Sequence, residues 1–378
     1  MDIILIYSEE NITEVEEVKI VKICLLAPAN SIHTQKIAYS LSKEGDNVLI
    51  VSFHKADLAN LNVVYIVPIL SQLGKINYLL NVPKIKKIIE GFHPDILHAH
   101  YISSYGLVGS LLNYYPLIIS VWGSDIFDFP KKSFLHKYFI KYALKKTNYV
   151  LSTSNIMELE TRKYTDKKIF VTPFGVDCKK FKPIPELKPK DKIIIGTVKT
   201  LESKYGIEYL IRAFKIVHEK YHDLPLELHI AGKGSLESKL KSLTRELGIA
   251  DRVKFLGFIK HDEVPNYLNT FSVSVSVSVS KSESFGVAVL EAEACGIPVV
   301  VSNIGGLPEV LENGETGFIV PPRNPQATAV AIEKILLDEE LSRKLSFNAR
   351  KFVLEKYNWE ENFKMITEIY KEAMRENK

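Results

Sequence analysis

Two trains of short apolar runs, each interleaved with helix-length stretches, restrict most what this chain can fold into. The first train opens with Ile20–Leu26, long enough for one buried parallel strand. It continues through Val48–Ser52, Val63–Val67, Ile96–His98, Leu117–Val121, Tyr149–Ser152 and Ile169–Thr172. A loop from Ala27 to Thr34 leads into a helix that Gly45 stops, and further helical periods cover Val82–Glu90 and Phe134–Lys145. Alternation of this kind argues for a parallel sheet covered by helices on both faces. Pro183, Pro185 and Pro189 then prevent regular structure between Phe181 and Lys190. The second train follows at Ile193–Thr197, Leu226–Ala231, Val253–Leu256, Val273–Val279, Val299–Ser302 and Gly317–Val320. Within it, Ser272 to Ser280 alternates Ser and Val, which reads more simply as a strand than as low complexity. The expectation is an α/β protein of two doubly wound domains, residues 19–181 and 190–358. A helix over 359–378 is expected to pack back on the first domain. Such domains bind ligands at the carboxyl ends of their strands, so the site belongs in the cleft between them.

A length of 378 residues suits two domains, and 46% hydrophobic with 25% charged residues excludes a disordered or fibrous chain. Cys24, Cys178 and Cys295 are widely spaced, so neither a disulfide framework nor a zinc site is expected and a reducing cytoplasm fits. No run of about 18 uncharged apolar residues suggests a membrane span. Residues 1–18 are acidic, lack the basic flank of a signal peptide, and read as an appendage or as residues added by an upstream start. Charge is unevenly spread. Residues 19–181 hold 21 basic against 11 acidic residues, whereas residues 182–378 hold 28 of each. The basic half suits an anionic partner or is simply a lysine-rich surface. No nucleic-acid module accompanies it.

The strongest chemical signal is Ser282-Glu283-Ser284-Phe285-Gly286, followed by Val287 and, on the same helix, Glu291. A helix starting near Phe285 offers unpaired N–H groups to a diphosphate, with Gly286 allowing close approach. Glu291, in the second turn, can reach ribose hydroxyls, and Glu283 can reach a sugar. A second element, Lys199 and Lys204 around a strand-to-helix turn, can clamp a diphosphate and hold charge as it departs. Gly232 and Gly234 after another strand form half a dinucleotide fingerprint, without the third glycine that a nicotinamide enzyme needs.

With the continuation Glu293-Ala294-Cys295-Gly296-Ile297-Pro298 and Gly305-Gly306-Leu307-Pro308-Glu309, the chain from Lys19 onward closely resembles the retaining family 4 glycosyltransferases of GT-B fold. The resemblance implies two Rossmann-like domains and transfer of a sugar from a nucleotide diphosphate sugar, with UDP the commoner nucleotide. It implies a glycan or lipid-linked acceptor in cell-surface polysaccharide or glycolipid synthesis, a cytoplasmic location, and neither metal nor cofactor. Lys199, Lys204 and Glu283 would then be catalytic. Glu291, Phe285, Gly286, Val287, Gly232, Gly234, Phe258 and Ile259 would bind the donor. Lys199 stands where Arg is commoner, which keeps the charge but loses the bidentate fork. A non-catalytic partner subunit and a nucleotide-sugar epimerase are the alternatives.

On the acceptor side the resemblance points to Asn30, Ser31 and His33 after the first strand, to His100 at the end of another, and to Trp122 and Asp125. Relatives often carry a Gly-rich loop at the first of these places and a His where Trp122 stands, and Trp122 cannot accept a proton. Trp122 reads equally as a sugar-stacking ring or a core residue. His98 and His100 invite a metal, but without a carboxylate cluster they read better as lining the cleft. Phe174, where Asn is commoner, reads as structural. Lys131 to Lys146 mixes six lysines with apolar and aromatic residues, either a membrane-surface helix on anionic lipid or one whose apolar face is core.

Overall fold

A computed structural model of the chain describes residues 20–69 and 76–376; the appendage read at residues 1–18 lies outside them. The first sheet contains β1 (Lys22–Leu26), β2 (Asn47–Ser52), β3 (Asn62–Tyr65), β4 (Ile96–His100), β5 (Leu117–Val121), β6 (Tyr149–Ser152) and β7 (Ile169–Val171). The second contains β8 (Ile193–Val198), β9 (Leu226–Ala231), β10 (Val253–Gly257), β11 (Val273–Ser276), β12 (Val299–Ser302) and β13 (Gly317–Val320). Strand orders are β3-β2-β1-β4-β5-β6-β7 and β10-β9-β8-β11-β12-β13, with every pairing parallel.

Each sheet is buried on both sides, which is why its strands read as continuous apolar runs. Successive side chains alternate between two cores. Leu26, Leu97 and Ile119 join one core of the first domain, while Leu25, Ile96 and Ile118 join the other. Strand order reverses between β1 and β4, and again between β8 and β11. At such points the connections leave to opposite faces and open a crevice beyond the strand ends.

The helix Trp359–Glu376 follows the second domain in sequence but packs on the first. Trp359, Phe363, Ile366, Ile369, Tyr370 and Ala373 form its apolar stripe and are buried with Ile23, Leu25 and Ile118. Trp359 Nε1 donates to Ser40 Oγ at 2.8 Å, and Tyr370 Oη lies 2.6 Å from His98 Nδ1. The chain therefore crosses between domains twice. The two crossings lie side by side, with Val176 N donating to Tyr357 O and Trp359 N donating to Val176 O.

Three local features differ from the sequence reading. The Ser/Val strand ends its pairing at Ser276, because Val279 N turns to Lys204 O (2.8 Å) and Ser302 Oγ donates to Ser278 O (2.6 Å). The helix expected near Phe285 begins at Val287, after Gly286 at φ +101°. A π-helical turn, Tyr101–Gly106, follows β4, and Tyr101 takes a left-handed φ of +62°. Nothing in the local sequence announced that turn.

Candidate active site

The ends of β1, β4 and β5 face those of β8, β9 and β11 across a cleft of about 800 Å³. The second domain supplies most of its polar wall. Lys199 leaves β8 and Glu283 lies in the loop after β11, the two strands of the switch point. The Lys199 ammonium meets both Glu283 oxygens at 3.1 Å, and Ser278 Oγ donates to Oε2 at 3.2 Å. Both partners are nearly buried, with side chains 12% and 10% exposed. Between this pair and Glu291 lies the start of the helix Val287–Ala294. The N–H groups of Val287 and Ala288 have no partner among the described residues, and both residues line the cleft. Unpaired amides and the positive end of the helix dipole make this an anion-binding end.

Gly232 explains how Lys199 is presented. At φ +138° it packs so closely that a Cβ there would sit 1.9 Å from Lys199 O. Two backbone bonds, Lys199 N to Ala231 O (2.9 Å) and Leu201 N to Lys233 O (3.0 Å), hold the two loops together. Gly234 abuts Leu201 in the same way and does not line the cleft. The glycines thus bring two strand exits together.

The remaining donor-side residues, Phe258, Ile259, Phe285 and Gly286, all line the cleft, with Phe258 71% exposed. Lys204 does not. Its ammonium lies 4.7 Å from the Tyr205 ring centroid, and Lys199 reaches the same ring at 4.8 Å. The cleft also holds a residue that sequence reasoning passed over: His261 Nε2 lies 2.8 Å from Glu291 Oε1. Its only sequence signal was its position two residues beyond Ile259.

The first domain contributes an aromatic wall. Asn30, His33, Trp122, Tyr101 and Phe174 line the cleft. His33 stacks on Phe174 at 4.0 Å and meets Trp122 edge-on at 5.8 Å. Burial, with Lys36 and His261 nearby, pulls its pKa down to about 4, so the ring is neutral at neutral pH. Phe174, read as structural, is therefore part of the wall. Tyr101 packs on Trp122 at 5.0 Å, and burial beside Asp125 pushes its phenol up to about 12.

Three expected acceptor-side residues lie elsewhere. Asp125 is buried, and its carboxylate accepts backbone N–H groups of Ile102 (2.9 Å), Trp122 (3.2 Å) and Gly123 (2.8 Å). It shapes the loop that carries Trp122 and the turn after β4. His100 lies behind Trp122, ring centroids 4.4 Å apart, with Nδ1 3.3 Å from Thr34 Oγ1. Ser31 precedes the helix Ile32–Lys43 without lining the cleft. His98 is held by Tyr370 and by Ser120 Oγ at 2.7 Å, so both ring nitrogens are engaged.

The domains also touch beside the cleft. Ser284 Oγ donates to Trp122 O (2.8 Å), and Ser154 Oγ donates to Ser284 O (2.6 Å). The Glu309 carboxylate accepts from Asn155 N, Asn155 Nδ2 and Ile156 N at 2.7–2.9 Å, capping a first-domain helix from the second domain.

This is a GT-B architecture, with an anion-binding helix end, a lysine and two glutamates on one wall of its cleft. Residues 179–352 match the family model for glycosyl transferases group 1, and residues 22–154 match glycosyl transferase 4-like. The chain belongs to these group 1, GT4-type glycosyltransferases and is an enzyme of that class. An uncharacterized glycosyltransferase of Methanocaldococcus jannaschii is 27% identical over 82% of this chain and 85% of its own. Sucrose-phosphate synthase from Thermosynechococcus elongatus has the same fold (TM-score 0.82, 22% identity, 93% of this chain and 98% of that one). So does Anabaena HepE, solved with UDP-glucose (TM-score 0.79, 20% identity, 93% and 100%). Among the described residues no helix is long and apolar enough to cross a membrane.

Proposed function

We propose that this glycosyltransferase moves a hexose, with retention of configuration, from a nucleotide diphosphate sugar to a glycan or lipid-linked acceptor. The observation that carries the reading is the convergence of Lys199, the open end of the helix at Val287, Glu283 and Glu291 on one wall. The diphosphate lies against Val287 and Ala288, whose free N–H groups take its oxygens. Glu291 holds the ribose, Glu283 holds sugar hydroxyls, and Phe258 borders the base. UDP is the first candidate, the nucleotide moiety also present in the HepE complex.

Donor binding must divide the Lys199–Glu283 pair between phosphate and sugar. Lys199 then sits at the leaving diphosphate, with Lys204 on the same Tyr205 ring reaching the phosphate only if its own turn moves, and no metal is assigned a part. The bond from the anomeric carbon to the phosphate oxygen breaks, and an acceptor hydroxyl bonds to the same face. Its proton passes to the departing phosphate. With its pKa held down to about 4, His33 is a weak proton acceptor, and the Trp122 indole has only a proton to give, so the first domain's wall binds and shields.

We also read the chain as cytoplasmic and peripheral on an anionic membrane. The helix Phe134–Lys146 buries Ile140, Ala143 and Leu144, yet leaves Phe134, Leu135 and Tyr138 largely exposed beside Lys131, Lys132, Lys137 and Lys141. Apolar rings among lysines suit the headgroup region of acidic lipid.

The test is thermal stabilisation by UDP, GDP, ADP and NAD. A ligand at 100 times its Kd adds about 2.7 kcal/mol, so one diphosphate should raise Tm by a few degrees. Glu291→Ala should abolish that rise. Stabilisation by NAD alone, or by none of the four, overturns the reading.

A further inference from the structure

His261 stands where the interdomain linker meets the donor-side carboxylate. Its Nε2 is 2.8 Å from Glu291 Oε1, and its Nδ1 is 3.1 Å from the Lys180 ammonium. Lys180 in turn lies 2.6 Å from Asp262 Oδ1 and points its cation at the Phe181 ring. Phe181 packs 5.3 Å from the imidazole. Lys180 has protons only to give, so Nδ1 accepts and the imidazole proton stands on Nε2, directed at Glu291. No other protein group among the described residues bonds the Glu291 carboxylate, which leaves Oε2 as the acceptor for a ligand.

A glutamate side chain on a helix has three free torsions, and a site that discriminates hydroxyls needs them held. We propose that Asp262, Lys180 and His261 form a positioning chain that orients Glu291 toward the ribose hydroxyls. Lys180 makes that orientation depend on the interdomain linker. His261 is thus a positioning residue for donor recognition. The proposal rests on Glu291 being the ribose carboxylate.

The test measures binding of UDP, GDP and ADP, each beside its 2′,3′-dideoxy form, to wild type and variants. The quantity read is the ratio of the two affinities. Wild type should prefer the ribose form by at least tenfold, since a site built to accept hydroxyls is left unpaired by the analogue. His261→Ala should cut the preference about tenfold and His261→Gln, whose amide N–H can replace Nε2–H, should restore most of it. Lys180→Met should cut it a few-fold. A merely structural role for His261 would weaken both ligands equally and leave the ratio intact, and that result overturns the proposal. An unchanged ratio in Lys180→Met removes the linker from it. If Glu291→Ala keeps the wild-type ratio, or no diphosphate binds, the underlying reading of Glu291 falls and the proposal with it. Melting temperatures without ligand identify any variant that has not folded, and the His261→Gln comparison then carries the test.

Discussion

Glu293 offers a measurement independent of any ligand. It is fully buried on the helix that carries Glu291, and among the described residues neither carboxyl oxygen has a hydrogen-bond partner, although the Thr316 hydroxyl is near enough to soften the penalty. Burial holds its pKa well above the ordinary 4.5, so the folded protein keeps the proton that the unfolded chain releases. Each pH unit above 4.5 then costs about 1.4 kcal/mol of stability, until the folded-state pKa is passed. Glu293→Met conserves volume and removes the titration. Each recovered kcal/mol should raise the second domain's Tm by about 2–4 °C. The assay is a melting curve at each pH from 4.5 to 8, with the variant-minus-wild-type difference plotted against pH. That difference should grow with pH, and Glu293→Gln should show the same slope with a smaller offset. Parallel pH profiles for wild type and Met variant would refute the argument.

Buried histidines act in the opposite sense. His33 and His98 have folded pKa values of about 4 and 3, so their contribution is lost as pH falls below 6.5; His33→Phe should stabilise more at pH 5 than at pH 7 in the same melts. Gly232→Ala should displace the Lys199 loop, lowering transfer at least a hundredfold while melting temperature falls by only a few degrees, as paired activity and thermal assays would show. Glu291→Ala should weaken donor binding, whereas Lys199→Ala should mainly slow transfer; full turnover in both would remove the catalytic assignment. Binding to acidic liposomes should be salt-sensitive and fall severalfold in a Phe134→Ala/Leu135→Ala double variant. Equal binding to neutral vesicles would discard the membrane face.

Both sheets could be read from sequence because a strand buried on two faces leaves little but apolar residues to write it with. Leu117–Val121 and Leu226–Ala231 were read to the residue. The Ser/Val stretch was overextended because period-two side chains do not reveal where neighbouring backbone stops pairing. Within the site, Glu283 to Glu291 could be read as one run along the chain, whereas distant residues such as Lys199, Phe258 and Trp122 were assigned to it through the resemblance. What neither showed was the full convergence from afar. His261 and Phe174 enter the cleft through loops whose direction depends on distant packing. Asp125 looked available for substrate, yet three backbone amides had already claimed it.

The last helix completes the core of the domain made first. During synthesis, then, one face of the first domain's sheet is covered by the helix Ile32–Lys43 but lacks its second helix until Trp359 to Ala373 have been made, after the donor-binding domain is already in place. A chain that stops early loses more than its tail. It leaves an uncovered apolar surface on the first domain, so a short C-terminal truncation should be recognised as a folding failure of the N-terminal half.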